Sequence, residues 1–233
     1  MRRVLVTRPE PAASRTAGLL SRMGFEPVLL PLTDIVPLEV AGDAWPAKPD
    51  AVAISSANAV RHAPKALLAA IAGVPVFAVG ERTGEVAREA GLNVVDDDSG
   101  EASRLVQRVA NALTPGMQVL ILCGRVRRDV LERGLAQSGL KAFVAETYNT
   151  LERGPSRQQV VAALGGQPVD AVLLYSAFTA EIFTRIIELP LFDKADYFVI
   201  SERVAKILPD AARTRAYVAR EPNEEKLLSL LPV

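Results

Sequence analysis

The chain has 233 residues, of which 49% are hydrophobic and 23% are charged. Because this length and apolar content supply two buried cores, we expect a soluble globular protein of two domains and no extended disorder. Lys plus Arg equal Asp plus Glu at 27 each, which argues against a general polyanion-binding surface and against nucleic acid as a partner.

Short apolar runs alternate with helical tracts along the first two thirds of the chain. A helix is predicted from Arg8-Pro9 through Met23, with Gly24 as its C-cap, and Gly91 is expected to cap another helix. The predicted strands are 4–7, 25–30, 51–54, 74–79, 92–95, 119–122 and 141–145. The predicted helices are 9–23, 57–71, 83–90, 101–113 and 127–138. The order predicts an α/β fold with parallel sheets covered by helices on both faces.

One pattern is used twice in this chain. DAVAISSANAV at Asp50 recurs as DAVLLYSAFTA at Asp170, and VPVFAVGERTGEVA at Val74 recurs as ADYFVISERVAKIL at Ala195. The copies lie about 120 residues apart, which predicts two similar α/β units. The alternation breaks at 33–38 and at 147–152, and we interpret these stretches as linkers.

Parallel sheets bind ligands beyond the carboxyl ends of their strands, where helix N-termini present unpaired N–H groups. Small or hydroxylic residues stand at most of these predicted ends, and they suit several carboxylates better than one metal ion. They include Thr7 with Arg8, Ser55 with Ser56, Gly80, Gly124 with Arg125, and Ser176.

Three features of the sequence have a structural interpretation as well as a functional one. Ser55 and Ser56 could serve only as a helix cap. The cluster of Arg125, Arg127 and Arg128, placed at the start of a predicted helix, could bind an anion or be solvated with Asp129 as its local partner. Tyr148 could be a half-buried strand residue or a proton donor.

Other site classes find little support in the sequence. The usual dinucleotide and ATP motifs, G-x-G-x-x-G and G-x-x-x-x-G-K-S/T, are absent, and His62 is the only histidine. Cys123 is the only cysteine, so no intramolecular disulfide forms; we expect it to be a small buried residue in a reducing cytoplasm. The run Asp96 to Asp98 is interpreted as a hydrated loop. No stretch reads as a signal peptide, and none approaches the ~18 apolar residues of a membrane span.

The sequence resembles the uroporphyrinogen-III synthase family along almost its whole length. The matching pieces are VLVTRP at Val4, ISSANAV at Ile54, VPVFAVGERT at Val74, VLILCGRVRRDVL at Val119 and ETY at Glu146. Where many members carry Thr-Ser-Pro-Ser, this chain has Tyr175-Ser176-Ala177-Phe178.

The resemblance implies two flavodoxin-like α/β domains joined by a two-stranded linker, with a ligand cleft between them. One domain would be residues 1–36 plus 150–233, and the other would be residues 37–149. The implied enzyme is a cyclising hydro-lyase of tetrapyrrole (haem) biosynthesis. It converts hydroxymethylbilane, a linear tetrapyrrole with eight carboxylates, to uroporphyrinogen III, with loss of water and inversion of the last pyrrole ring.

The resemblance also implies a site without a metal or organic cofactor. Tyr148 falls on the family's linker tyrosine and would help the hydroxyl leave. The implied carboxylate-binding residues are Thr7, Arg8, Ser55, Ser56, Asn58, Gly80, Gly124, Arg125 and Ser176. The expected protein is a cytoplasmic monomer that receives its substrate from hydroxymethylbilane synthase.

Two other classes remain open at this point. Two similar α/β lobes could clamp a small molecule as a binding or sensor protein without chemistry. A nucleotide-sugar or phosphosugar enzyme could use the same helix N-termini.

Overall fold

The computed structural model describes residues 1–41, 45–46 and 48–232, and the chain divides into two compact units. The first unit is Met1–Ile35 with Leu151–Val233, and the second is Val36–Thr150. The chain therefore begins in the first unit, forms the whole of the second, and returns.

The described residues form eleven strands and eleven α-helices. The strands are β1 (Arg3–Val6), β2 (Glu26–Leu29), β3 (Thr33–Pro37), β4 (Ala51–Ile54), β5 (Pro75–Ala78), β6 (Asn93–Asp96), β7 (Gln118–Gly124), β8 (Lys141–Glu152), β9 (Ala171–Leu174), β10 (Asp196–Val199) and β11 (Ala216–Val218). The helices are α1 (Ala12–Arg22), α2 (Ala57–Arg61), α3 (Lys65–Ile71), α4 (Glu81–Glu89), α5 (Ala102–Ala112), α6 (Val130–Gln137), α7 (Arg157–Ala163), α8 (Ala177–Thr184), α9 (Glu202–Ala205), α10 (Asp210–Arg213) and α11 (Glu224–Leu228). A 3₁₀ turn covers Pro190–Phe192.

The strands form two sheets, and the predicted α/β fold with parallel sheets is confirmed. The first sheet has the order β11-β10-β9-β1-β2, and all of its neighbouring pairs are parallel. The second has the order β3-β8-β7-β4-β5-β6, with parallel pairing from β8 to β6. The carboxyl ends of these parallel strands lie at one edge of each sheet, which brings the loops that follow them together.

The first sheet buries both of its faces. Leu5 and Val172 pack in one apolar cluster, whereas their neighbours Val6 and Leu173 pack in another. Successive side chains of a strand point to opposite faces, so an uninterrupted apolar run is what a sheet covered on both sides requires. This explains why β9 is apolar at every position, and β4 of the second sheet, whose four residues are all buried, has the same pattern.

Two glycines end helices as predicted. Gly24 and Gly91 follow α1 and α4 with φ angles of 86° and 82°. The amide of Gly24 donates to the carbonyl of Ser21, and that of Phe25 donates to the carbonyl of Leu20. Glycine adopts this left-handed conformation without the steric cost that a Cβ atom brings.

Three predicted elements were wrong in their extent. The helix predicted over 57–71 is two helices, α2 and α3, because Pro64 lacks an N–H and disfavours helical backbone at the residue before it. The strand predicted over 141–145 continues to Glu152 as β8. The helix predicted from residue 127 begins at Val130, so the arginines before it lie in a loop.

In the part of the chain that the structure describes, no helix is both long and apolar enough to cross a membrane.

Candidate functional site

A pocket of about 210 Å³ lies at the carboxyl ends of β4, β7 and β8 in the second unit. It brings together four of the predicted site residues, Ser55, Ser56, Gly124 and Tyr148. Its remaining lining residues are Ala102, Cys123, Val126, Arg127, Arg128, Val130, Leu131 and Glu132. The pocket therefore combines hydroxyl groups, two guanidiniums and one carboxylate on a partly apolar wall.

Tyr148 is buried, with 9% of its surface exposed, near the end of β8. Burial raises the pKa of its phenol, and a hydrogen bond with the side chain of Ser56 opposes this shift. The phenol is therefore protonated at neutral pH and can donate a hydrogen bond to a group in the pocket.

Gly124 leaves the space in which the ring of Tyr148 lies. A Cβ atom at residue 124 would stand 2.5 Å from Cζ and 2.8 Å from the hydroxyl oxygen of Tyr148. The backbone holds the same arrangement, because the amide of Arg125 donates to the carbonyl of Tyr148 at 2.9 Å. The absence of a side chain at Gly124 thus sets the position of the phenol.

His62 and Cys123 lie beside this tyrosine without forming a catalytic pair with it. The ring centroids of His62 and Tyr148 are 6.2 Å apart, and burial, followed by the charge of Arg61, lowers the pKa of His62. Cys123 is buried as predicted, and burial raises the pKa of its thiol to about 12. The thiol is therefore protonated at neutral pH, which makes it a poor nucleophile.

Two of the three clustered arginines are held in an ion-pair network. Arg125 Nε donates to Glu146 Oε2 at 2.9 Å, and Arg127 donates to Glu146 Oε1 and Glu132 Oε1 at 2.7 Å each. The hydrogen bonds from Arg127 and then Arg125 lower the pKa of Glu146. Burial alone would lower the pKa of Arg127, but its bonds to Glu146 and Glu132 raise it. Neither arginine is therefore a freely available cation in this structure.

Three other predicted residues of the second unit, Asn58, Gly80 and Arg125, follow the same sheet's strands but do not line the pocket. The amide of Asn58 donates to the hydroxyl of Ser56 at 3.2 Å, which confirms that Ser56 caps α2. The side-chain oxygen of Asn58 accepts from Arg61 at 3.1 Å. Gly80 is the N-cap of α4.

In the first unit the predicted residues Thr7, Arg8 and Ser176 also follow their strands. The hydroxyl of Thr7 is buried and donates to the carbonyl of Leu173 at 2.7 Å. Ser176 caps α8 by accepting from the amide of Thr179 at 3.1 Å. The side chains of Thr7 and Ser176 therefore fix the local backbone.

Arg8 is held by a carboxylate of the chain itself. Its Nη1 lies 2.7 Å from Glu224 Oε1, and its guanidinium lies 4.1 Å from the centre of the Tyr175 ring. Arg15 Nη2 binds Glu224 Oε2 at 2.9 Å, and Thr16 and Tyr175 donate to Glu224 Oε1. Burial alone would raise the pKa of Glu224, but Arg8, Thr16 and Arg15 lower it. Burial, followed by the charge of Glu224, raises the pKa of Tyr175.

The two-sheet α/β architecture is accompanied by a sequence match across most of the chain. Residues 14–229 match the family described as uroporphyrinogen-III synthase HemD. The chain belongs to the uroporphyrinogen-III synthase family. No curated protein matches the sequence.

Solved structures of the uroporphyrinogen-III synthase family share the fold. The enzyme from Helicobacter pylori is 18% identical with a TM-score of 0.61, and the match covers 99% of this chain and 98% of that one. A mutant uroporphyrinogen III synthase from the extremely thermophilic bacterium Thermus thermophilus is 18% identical with a TM-score of 0.59, covering 99% and 96%. At these identities the likeness shows the fold.

Sequence reasoning missed the carboxylates that organise the arginines at these uroporphyrinogen-III synthase strand ends. Glu224 lies far from Arg8 in the sequence, and Glu146 lies about 20 residues after Arg125 and Arg127 on another strand. Among the described residues, no three His, Cys, Asp or Glu side chains are grouped so that they could hold a metal ion.

Proposed function

We propose that this chain is a cyclising hydro-lyase that converts hydroxymethylbilane to uroporphyrinogen III, with loss of water and inversion of the terminal pyrrole ring. The observation that carries the proposal is the family match over residues 14–229. The protonated phenol of Tyr148, which lines a pocket at the strand ends, supports it further. Because the chain belongs to a family of biosynthetic enzymes, this reaction is favoured over a binding or sensor role.

The proposed cyclisation depends more on the geometry in which the protein holds its substrate than on strong acid–base catalysis. Hydroxymethylbilane closes without an enzyme to the uninverted type I isomer, so the protein must hold the chain in the geometry that leads to type III. In the proposed reaction the terminal C–O bond breaks while Tyr148 donates a hydrogen bond to the departing oxygen, which leaves as water with the proton from the N–H of the same pyrrole ring; that nitrogen regains a proton when the attacking pyrrole carbon loses one on ring closure. A donor that is already protonated and positioned needs no rearrangement at that step.

The proposed substrate-binding residues form two groups. Ser55, Ser56, Asn58, Gly80, Gly124 and Arg125 belong to the second unit, and Thr7, Arg8 and Ser176 belong to the first. Ser56, Gly80 and Ser176 are the N-caps of α2, α4 and α8, and helix N-termini suit carboxylates. Because Arg8 and Arg125 already bind Glu224 and Glu146, their charges reach a substrate carboxylate only by sharing or exchanging those partners. In the cell we propose a cytoplasmic monomer supplied by hydroxymethylbilane synthase.

A coupled assay tests the reaction directly. Hydroxymethylbilane is generated in place, and the type III and type I isomers of uroporphyrin are separated after oxidation. We expect predominant type III. Type I alone, formed at the rate seen without protein and with the protein shown to be folded, would refute the proposed function.

Gly124→Ala tests the packing of Tyr148 in this reaction. The added methyl group overlaps the phenol ring, so the ring must leave its rotamer at a cost of roughly 0.5–1.5 kcal/mol. We expect kcat for type III formation to fall about fivefold, which corresponds to about 1 kcal/mol, while the circular dichroism spectrum is unchanged. Gly73→Ala is the control, because a Cβ atom at Gly73 meets nothing within 4 Å. Equal kcat values for the two variants would show that the ring position is not limiting.

A further inference from the structure

Arg128 is the cation of the second-unit pocket that lacks a carboxylate partner among the described residues. It lines the pocket beside Arg127. Its neighbour in the sequence, Asp129, pairs instead with Arg133 at 2.8 Å. The sequence alone leaves open whether Asp129 neutralises this cluster, and in the structure Asp129 does not pair with Arg128.

The charges around the pocket leave one positive charge uncompensated. The guanidiniums of Arg125 and Arg127 face the carboxylates of Glu132 and Glu146 in one network of hydrogen bonds. Two cations and two anions cancel there, so the charge of Arg128 remains. An anion that enters the pocket therefore meets a local excess of positive charge, although the whole chain has no net charge.

A buried carboxylate oxygen in the pocket indicates which group, besides an anion, a ligand of this pocket carries. The Oε2 atom of Glu132 is buried and has no hydrogen-bond partner among the described residues. A buried acceptor without a partner destabilises the folded protein, and a ligand that donates a hydrogen bond to it removes this penalty. An occupant that offers one N–H donor and one anion would satisfy both Glu132 and Arg128.

The size of the pocket limits this occupant. At about 210 Å³ it is smaller than the roughly 300–1,000 Å³ of sites that enclose a drug-sized ligand. A whole tetrapyrrole does not fit, but one pyrrole ring with an acidic side chain has the required N–H and carboxylate.

We infer that Arg128 binds a carboxylate on the pyrrole ring that occupies this pocket, and so selects substrates with acidic ring substituents. This role rests on the proposed function. Arginine suits it because its planar guanidinium makes two parallel hydrogen bonds to one carboxylate. The Nε of Arg125 already donates to Glu146, whereas Arg128 can donate to a substrate carboxylate without breaking an ion pair.

The test compares Arg128→Gln with Arg104→Gln in the coupled assay. Arg104 is an exposed arginine of α5 that makes no ion pair among the described residues and does not line the pocket, so the two variants lose the same charge. We expect KM for type III formation to rise about tenfold in Arg128→Gln with kcat within about twofold, since hydrogen bonds between charged groups contribute this much or more. We expect Arg104→Gln to match the unmodified protein, and Arg128→Lys to recover part of the loss.

A binding measurement separates this inference from the proposed reaction. Uroporphyrin III is a stable octacarboxylate, and its dissociation constant is measured by the change in its fluorescence with each folded variant. A dissociation constant about tenfold higher for Arg128→Gln alone supports the inference even where the isomer assay shows no catalysis. Equal dissociation constants and equal KM values for Arg128→Gln and Arg104→Gln would overturn it, while type III formation would leave the proposed reaction standing.

Discussion

Replacing Tyr148 by phenylalanine is expected to lower kcat for type III formation about tenfold or more, a change of about 1.4 kcal/mol in the barrier. The variant keeps the ring that packs on Gly124 and loses only the hydroxyl. A tyrosine phenol is protonated at neutral pH, and burial raises the pKa of Tyr148 further, so the variant loses a donor that is available at that pH. KM should change little, since the departing hydroxyl is a small part of a large substrate.

Tyr197→Phe provides the matched control for this experiment. Tyr197 is also buried, in the first unit, and its hydroxyl makes only a long hydrogen bond of 3.4 Å to the carbonyl of Phe192. We expect its kcat to stay within about twofold of the unmodified protein. If folded Tyr148→Phe forms type III as fast as this control, Tyr148 has no part in the departure of water.

The sheets could be predicted because they depend on local patterns. Strands such as β4 and β9 are buried on both faces, so they appear in the sequence as short uninterrupted apolar runs. Gly24 and Ser56 end and begin helices through their own backbone or side-chain chemistry, which acts within a few residues. Features of this kind need no knowledge of tertiary structure.

The arginines of the candidate site depend on tertiary structure instead. Arg125 and Arg127 find Glu146 because β7 and β8 are parallel neighbours, which places Cys123 opposite Glu146 in the register. Sequence spacing alone offers the nearby Asp129 as one possible partner, but Asp129 pairs with Arg133 instead. The helix α6 begins at Val130, so these arginines lie in the loop before it and not in its first turn.

Glu224→Gln is expected to destabilise the first unit by about 2 kcal/mol at neutral pH. The carboxylate holds Arg8 and Arg15 and is only 20% exposed. Removing one partner of a fully buried ion pair costs roughly 3–5 kcal/mol, and an exposed pair contributes about 0–1 kcal/mol. This partly buried network lies between those limits, and the variant leaves two neighbouring guanidiniums without their anion.

The effect of Glu224→Gln should depend on pH with a definite sign. Arg8 and its neighbours hold the pKa of Glu224 below its ordinary value of 4.5, so its stabilising effect is complete above about pH 4.5 and declines as the pH falls through the lowered pKa. Denaturant unfolding at pH 7 and at about pH 3 measures this difference. Glu225→Gln is the control, because Glu225 is 84% exposed and pairs only with Lys226. An equal shift for both variants, or a shift that persists unchanged in acid, would contradict the assignment.

The same variant decides what Arg8 does. If Arg8 exchanges Glu224 for a substrate carboxylate, the neutral glutamine removes a competitor, and KM for type III formation should fall in the folded variant. If Arg8 serves only to hold α11 through Glu224, stability falls and KM stays the same. Because Arg8 already binds Glu224, the presence of an arginine at this strand end is by itself weak evidence for a substrate contact. The change in KM, compared with the change in stability, shows whether Arg8 binds substrate or only holds α11.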